Sequence, residues 1–190
     1  GFCLALAGDT LVVGAPEEDC DATGINSGLN NNNLPGAGAA YVFARTGGQW
    51  SQQAYLKASN TDIDDHFGRA VAVSDDTILV SAFWEDSNST GVNGDQDNHV
   101  GSFTGAAYVF TRAADEWSQQ AYLKASNTGN GDAFGTSVAL SGDLAVIGAD
   151  HEDSSSAGVD GDENNEGAED AGAAYVFART GQNWRHVAYV

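Results

Sequence analysis

The chain has 190 residues, 42% of them hydrophobic, and carries 27 Asp and Glu against 7 Lys and Arg, a formal charge of −20. The length suits one domain. The charge argues against nucleic acid or an anionic membrane as partner, because phosphate binding needs clustered Lys and Arg. Aromatic residues that recur in fixed phase argue against disorder, and no run of 18 apolar residues predicts a membrane-spanning helix.

The dominant feature is a repeat. GAAYVF starts at Gly38, Gly105 and Gly172, so both steps are 67 residues. QQAYLKASN runs from Gln52 to Asn60 and again from Gln119 to Asn127. Trp50, Trp117 and Trp184 keep the same phase, as do Phe67-Gly68 and Phe134-Gly135. A fixed period of this kind signals a repeat architecture. It predicts units at 1–67, 68–134 and 135–190, together one repeat domain.

The third unit serves as template, its elements taken in chain order. Thr136–Leu140 is short, alternating and β-branched. Ser141-Gly142-Asp143 is a tight turn, and Leu144–Gly148 is a continuous apolar run. A long polar segment follows, Asp150 to Asp170, rich in Asp, Glu, Ser, Asn and Gly. Ala173–Ala178 is the third apolar segment, closed by Arg179-Thr180-Gly181, and Trp184–Val190 is the fourth. These read as four short strands with turn chemistry between them. Four antiparallel strands per unit are the content of one β-propeller blade. The expected fold class is therefore all-β, with three propeller-type blades. Small residues in the first two strands suit a crowded inner side. Tyr41, Phe43, Tyr108, Phe110, Tyr175, Phe177 and the three in-phase Trp are expected to fill the space between blades.

Phe134-Gly135 followed by TSVALSGDLAVIGAD resembles the FG-GAP repeat of integrin α-subunit propellers, and Gly14-Ala15-Pro16 gives the GAP element intact. The bacterial and algal surface-protein variant is the nearest likeness, through Glu85-Asp86-Ser87 with Gly91–Asp95, and Glu152-Asp153-Ser154 with Gly158–Asp162. The resemblance implies an extracellular or cell-surface adhesion or scaffold module without catalysis, binding a protein or a glycan. Members often carry a calcium loop between the first two strands. Ala7-Gly8-Asp9, Ser74-Asp75-Asp76 and Ser141-Gly142-Asp143 are too short for one.

The acidic residues gather in the long loop instead. Asp160, Asp162, Asn164 and Glu166 alternate as D-x-D-x-N-x-E, and Asn93, Asp95 and Asp97 as N-x-D-x-D. Alternating oxygen donors let a loop wrap a hard cation such as calcium. A solvated acidic loop is the other reading. The first unit has Asn26-Ser27-Gly28-Leu29-Asn30 there and lacks acids. Glu18-Asp19, Glu85-Asp86 and Glu152-Asp153 would complete such a site or cap the loop on backbone amides. Asp65 and Asp132 recur before Phe-Gly and read as turn residues bonding nearby amides. Cys3 and Cys20 occur in one unit and are absent together from the others, which suits a local disulfide, with two unpaired thiols as the alternative. Asn88-Ser89-Thr90 is a glycosylation sequon.

His66, His99, His151 and His186 fall at unmatched phases, and no nucleophile motif, P-loop or CxxC is present. An enzyme is therefore the least favoured class. Three blades do not close a ring, since propellers use about four to eight. A piece of a larger propeller or array is expected, with copies joined through blade edges into a surface layer, appendage or filament as the alternative partner.

Overall fold

Each predicted run becomes a strand because its apolar residues sit on alternating faces between turn residues that end it. The computed structural model describes residues 1–28 and 31–190. Among them are twelve strands and no helix. The first sheet holds β1 (Cys3–Ala7), β2 (Thr10–Ala15), β3 (Ala39–Thr46) and β4 (Gln49–Leu56). The second holds β5 (Val71–Ser74), β6 (Thr77–Ala82), β7 (Ala106–Ala113) and β8 (Glu116–Leu123), and the third β9 (Ser137–Ser141), β10 (Leu144–Ala149), β11 (Ala173–Thr180) and β12 (Asn183–Tyr189). Strands within each sheet pair in chain order, and every ladder is antiparallel. The architecture is the expected one: three propeller-like blades, not closed into a ring.

The register separates two unlike faces on every blade. In the first, Leu4 opposes Val13, Leu6 opposes Leu11, and Val13 and Leu11 oppose Tyr41 and Phe43, a large-residue face. Its reverse carries Val12, Ala40, Val42, Ala54 and Leu56. The large face of the second blade (Ile78, Val80, Tyr108, Phe110, Trp117, Tyr122) packs on this smaller face, with Phe67 of the connecting segment between them. The same joint forms between the third blade's Ile147, Tyr175, Phe177, Trp184 and Tyr189 and the second blade's Leu79, Ala107, Val109, Ala121 and Leu123, around Phe134. Phe67 stands edge-on to Tyr108 at 5.3 Å, and Phe134 to Tyr175 at the same distance. Each buried ring removes on the order of 150–250 Å² from water, so the core of this protein lies between blades.

One expectation fails at an end. Trp117 and Trp184 are 7% and 5% exposed, but Trp50 is 44% exposed. The phase equivalence holds; the burial does not, because no blade among the described residues covers the first blade's large face. Leu4 and Leu6 stand exposed there for the same reason.

The Phe-Gly step marks a close backbone crossing. Gly38 bridges Phe67, and Gly68 donates its N–H to Ser81 O. A Cβ on Gly38 or Gly105 would stand against the backbone of Phe67 or Phe134. Both glycines have positive φ, 81° and 80°, a region only glycine enters cheaply.

Candidate functional site

The strand connections divide between two ends of the blades. At one end lie the two-residue turns of β1–β2 and β3–β4 and their equivalents. At the other lie the long loops 16–38, 83–105 and 150–172, with the segments that lead from one blade to the next.

At the turn end, Asp9, Asp76 and Asp143 each hold an arginine. Arg45 Nε donates to Asp9 Oδ1 at 2.7 Å, Arg112 to Asp76 at 2.8 Å and Arg179 to Asp143 at 2.7 Å. Each guanidinium also covers the in-phase tryptophan of its own blade, at 5.6, 5.1 and 5.2 Å from Trp50, Trp117 and Trp184. The position that the resemblance gives to a calcium loop thus holds a side-chain cation. The spacing of Asp and Arg along the chain contained this pairing, but only the hairpin register shows it. An open cleft of about 780 Å³ lies between the first two blades here, lined by Asp9, Arg45, Gln53, Asp76 and Arg112 among others.

At the loop end the repeated polar residues form a buried network. Glu85 accepts from Lys124 Nζ at 2.9 Å, Tyr122 OH at 2.8 Å and Asn60 Nδ2 at 2.9 Å, and Tyr108 OH donates to Asn60 Oδ1 at 2.7 Å. Lys124 also donates to Thr104 Oγ1 at 2.8 Å. Burial pulls the Lys124 ammonium below the usual lysine range, and Glu85 opposes that pull. Glu152 accepts Asn127, Tyr189 and the Ser154 amide in the same way. Asn60 and Asn127 come from the segment before each blade, so the network ties neighbouring blades together. In the first blade Glu18 accepts Lys57 Nζ at 3.1 Å and the Cys20 amide, and Tyr55 OH is buried with no hydrogen-bond partner among the described residues.

Asp65 and Asp132 act as the sequence predicts. Their carboxylates accept the amides of Asp62 and Gly129 at 2.9 and 2.8 Å. Burial raises Asp65 to about 7 and Asp132 to about 6, against the amide bonds that lower them. His99 bridges Asp62 at 3.2 Å and Asp86 at 3.1 Å, and the Asp86 bond raises its pKa. Asp19 and Asp153 cap their loops, accepting the amides of Gly36 and Asp170.

The candidate calcium residues are largely engaged with the backbone. Asn93 and Asp160 have φ of 55° and 54°. Their side chains accept the amides of Tyr122 and Tyr189, and their own amides donate to the carbonyls of the same tyrosines. Asn26 does this in the first blade, where residues 23–33 include no Asp or Glu. Asp95 Oδ1 accepts the Asp97 amide and Asp162 Oδ1 the Asn164 amide. Ser87 and Ser154 gather each loop by donating to the carbonyls of Asp95 and Asp162. Asp97, Asn164 and Glu166 are exposed. Shallow hollows of about 310 and 280 Å³ lie over the two loops. Among the described residues, no group of three or more His, Cys, Asp or Glu is placed to hold a metal ion. Leu29 and Asn30 lie outside the described residues. Asn88 is exposed, its amide bonded to Asn98 Oδ1.

The expected disulfide does not form: both cysteines are free. Cys3 shares the smaller face of the first blade with Gly14 and donates to Gly68 O across the joint. Cys20 packs with Ala39, Tyr41 and Tyr55 near the opposite face and donates to Gly28 O at 2.7 Å. Cys20 takes the place of the loop-gathering Ser87 and Ser154, so its absence from the other units reflects a serine substitution.

Sequence reasoning missed an unrepeated aromatic cluster on the loop end of the second blade. Phe83 and Trp84 follow β6 where the first blade has Pro16-Glu17 and the third Asp150-His151. Trp84 lies 5.0 Å from Phe83, 5.0 Å from Phe103 and 4.6 Å from His66. Arg69 stacks over Phe2 at 4.7 Å and Phe83 at 5.2 Å. These residues break the 67-residue phase, which was the only signal that could have found them.

The FG-GAP repeat matches this chain at residues 50–110 and 117–177, more than half its length. The chain belongs to the FG-GAP repeat family. FG-GAP repeats are generally non-catalytic and typically occur in extracellular proteins. No curated protein matches the chain, and no helix among the described residues is long and apolar enough to cross a membrane.

Proposed function

We propose that this FG-GAP chain is a non-catalytic, extracellular adhesion or scaffold module that binds a protein or glycan through the end carrying its long loops. One observation carries the reading. The repeated polar residues are consumed in joining blades and shaping loops, whereas the unrepeated aromatics Phe83, Trp84 and Phe103 stand on the loop end, Trp84 and Phe103 37% and 49% exposed. Function is expected where loops on a rigid scaffold carry such groups. The test is binding of the intact chain to immobilised extracellular proteins and glycans. A ligand lost on joint Trp84→Ser and Phe103→Ser substitution, and kept in a turn-end Asp115→Asn variant, supports the reading. Binding to nothing, or binding unaffected at the loop end, sinks it.

Calcium enters this proposal as a loop ligand, through oxygens that the backbone bonds leave over: Asp95 and Asp162 by their second oxygens, with Asp97 and Glu166. Millimolar calcium should then raise the thermal midpoint relative to EGTA, and Asp95→Asn with Asp162→Asn should remove the rise. An unchanged midpoint removes calcium and leaves the rest standing.

A second reading, self-assembly blade to blade, is favoured by the apolar residues that the first and third blades expose among the described residues, Leu4, Leu6 and Val146.

A further inference from the structure

Three of the four tryptophans in the chain carry a guanidinium of their own blade, Arg45 over Trp50, Arg112 over Trp117 and Arg179 over Trp184. Trp84 carries none among the described residues. Its neighbours are the rings of Phe83, Phe103 and His66. The other half of the same cluster already shows how these rings take a cation, since Arg69 lies over both Phe2 and Phe83.

Arg69 apart, the charged groups beside His66 and Trp84 are carboxylates. Glu17, its side chain 81% exposed, stands 3.5 Å from His66 beneath Trp84. Asp64, also exposed, borders Gly36 together with this imidazole: a Cβ on Gly36 would stand 2.6 Å from Asp64 Oδ1 and 3.2 Å from His66 Cε1. Neither carboxylate has a Lys or Arg partner within salt-bridge distance among the described residues. A ring face attracts a cation through its quadrupole, best over Trp, and flanking carboxylates add attraction while the net charge of −20 steers basic partners inward and repels acidic ones.

We propose that the Trp84–Phe103 surface is a docking platform for an Arg- or Lys-bearing protein segment, whose cation stacks on Trp84 between Glu17 and Asp64. This rests on the loop-end binding reading above and names its partner as a basic peptide rather than a glycan. Arginine is the better fit, because its planar guanidinium stacks as Arg69, Arg112 and Arg179 do here.

The test titrates the intact chain, at about physiological ionic strength, with an Arg-Gly repeat peptide, a Lys-Gly repeat, a neutral Ser-Gly repeat of equal length and a neutral oligosaccharide. The Arg peptide should bind most tightly. Trp84→Ala should weaken it about three- to tenfold, and Trp84→Phe should recover part of the loss. Glu17→Gln with Asp64→Asn should weaken it and flatten its salt dependence. Because Trp84 is partly exposed, circular dichroism should show both Trp84 variants folded. Equal binding of the Arg peptide by wild type and Trp84→Ala would overturn the proposal, leaving only diffuse charge attraction. Trp84-dependent binding of the neutral peptide or the oligosaccharide, at least as tight as that of the Arg peptide, would overturn the basic partner while upholding the loop end as the binding surface.

Discussion

Glu85 and Lys124 show how burial changes the worth of a residue pair. Both side chains are cut off from solvent, and Glu85 fills its oxygens with Lys124, Tyr122 and Asn60. The equivalent Glu18 keeps 20% of its side chain open to water. Removing one partner of a fully buried pair typically costs about 3–5 kcal/mol, because the other charge is left without compensation. Lys124→Met should therefore lower stability by about that much, and Lys57→Met by clearly less, in urea unfolding of the two variants side by side. Asp65 belongs to the same scale. With its folded value raised to about 7 from 3.8, it stays protonated in the folded chain while the unfolded chain releases the proton. The folded state holds more protons across that window, so Asp65 makes stability fall as pH rises from about 4 to about 7. Asp65→Asn keeps an acceptor for the Asp62 amide and should flatten this slope, read from thermal midpoints across the window.

Among elements, the bulge in the last strand pair aims a side chain at the neighbouring blade. The register shifts between Val42 and Phe43, and again between Val109 and Phe110, leaving Gln53 and Gln120 unpaired in the ladder. Gln53 Oε1 then accepts Trp117 Nε1 at 2.9 Å and Arg112 Nη1 at 3.1 Å. Gln120 Oε1 accepts Trp184 Nε1 at 2.8 Å and Arg179 Nη1 at 3.4 Å. A bulge re-aims one residue without ending the strand, and here it joins each blade to the Asp–Arg–Trp group of the next. Gln120→Ala leaves the buried indole N–H unpaired, and a loss of about 1–3 kcal/mol is expected in chemical unfolding. The third unit has Val187 at this position. The Gly105 crossing is the less forgiving element, since a Cβ would meet the backbone of Phe134 at a positive φ. Gly105→Ala should destabilise by more than about 1 kcal/mol, visible as a lowered urea midpoint.

At the scale of the three blades, the first and the third present two unlike surfaces among the described residues, the two halves of a joint made twice within the array. The first blade presents Leu4, Leu6, Leu11, Val13, Tyr41 and Phe43, in phase with Val71, Val73, Ile78, Val80, Tyr108 and Phe110 of the second. The third blade presents Ala139, Val146, Ala174 and Val176, in phase with Ala72, Leu79, Ala107 and Val109. Faces that fit each other but not themselves make heterologous contacts, and exposed apolar sheet faces favour association. The isolated chain should therefore associate with rising concentration in sedimentation velocity, and Leu4→Lys with Leu6→Lys should keep it monomeric. A wild-type chain that stays monomeric at the highest concentrations would count against the blade-to-blade reading.

The sequence by itself determined the period, the four strands per unit, the blade architecture and the turn role of Asp65 and Asp132, because these depend on alternation, turn residues and spacing, which are local along the chain. It also placed the aromatics correctly between blades wherever a neighbouring blade exists. The tertiary structure decided the rest. Burial of Trp50, Trp117 and Trp184 differs although their phase is identical, since burial belongs to the neighbour and not to the residue. Cys3 and Cys20 belong to opposite sides of one sheet, which no spacing of two cysteines reveals. The alternation of acids in the long loops is legible in the sequence, but only the fold shows that Asp95, Asp160 and Asp162 each spend one oxygen on a backbone amide. Trp84, Phe103, His66, Glu17 and Asp64 come from the loops of two blades and the segment between them, so only folding makes them one surface.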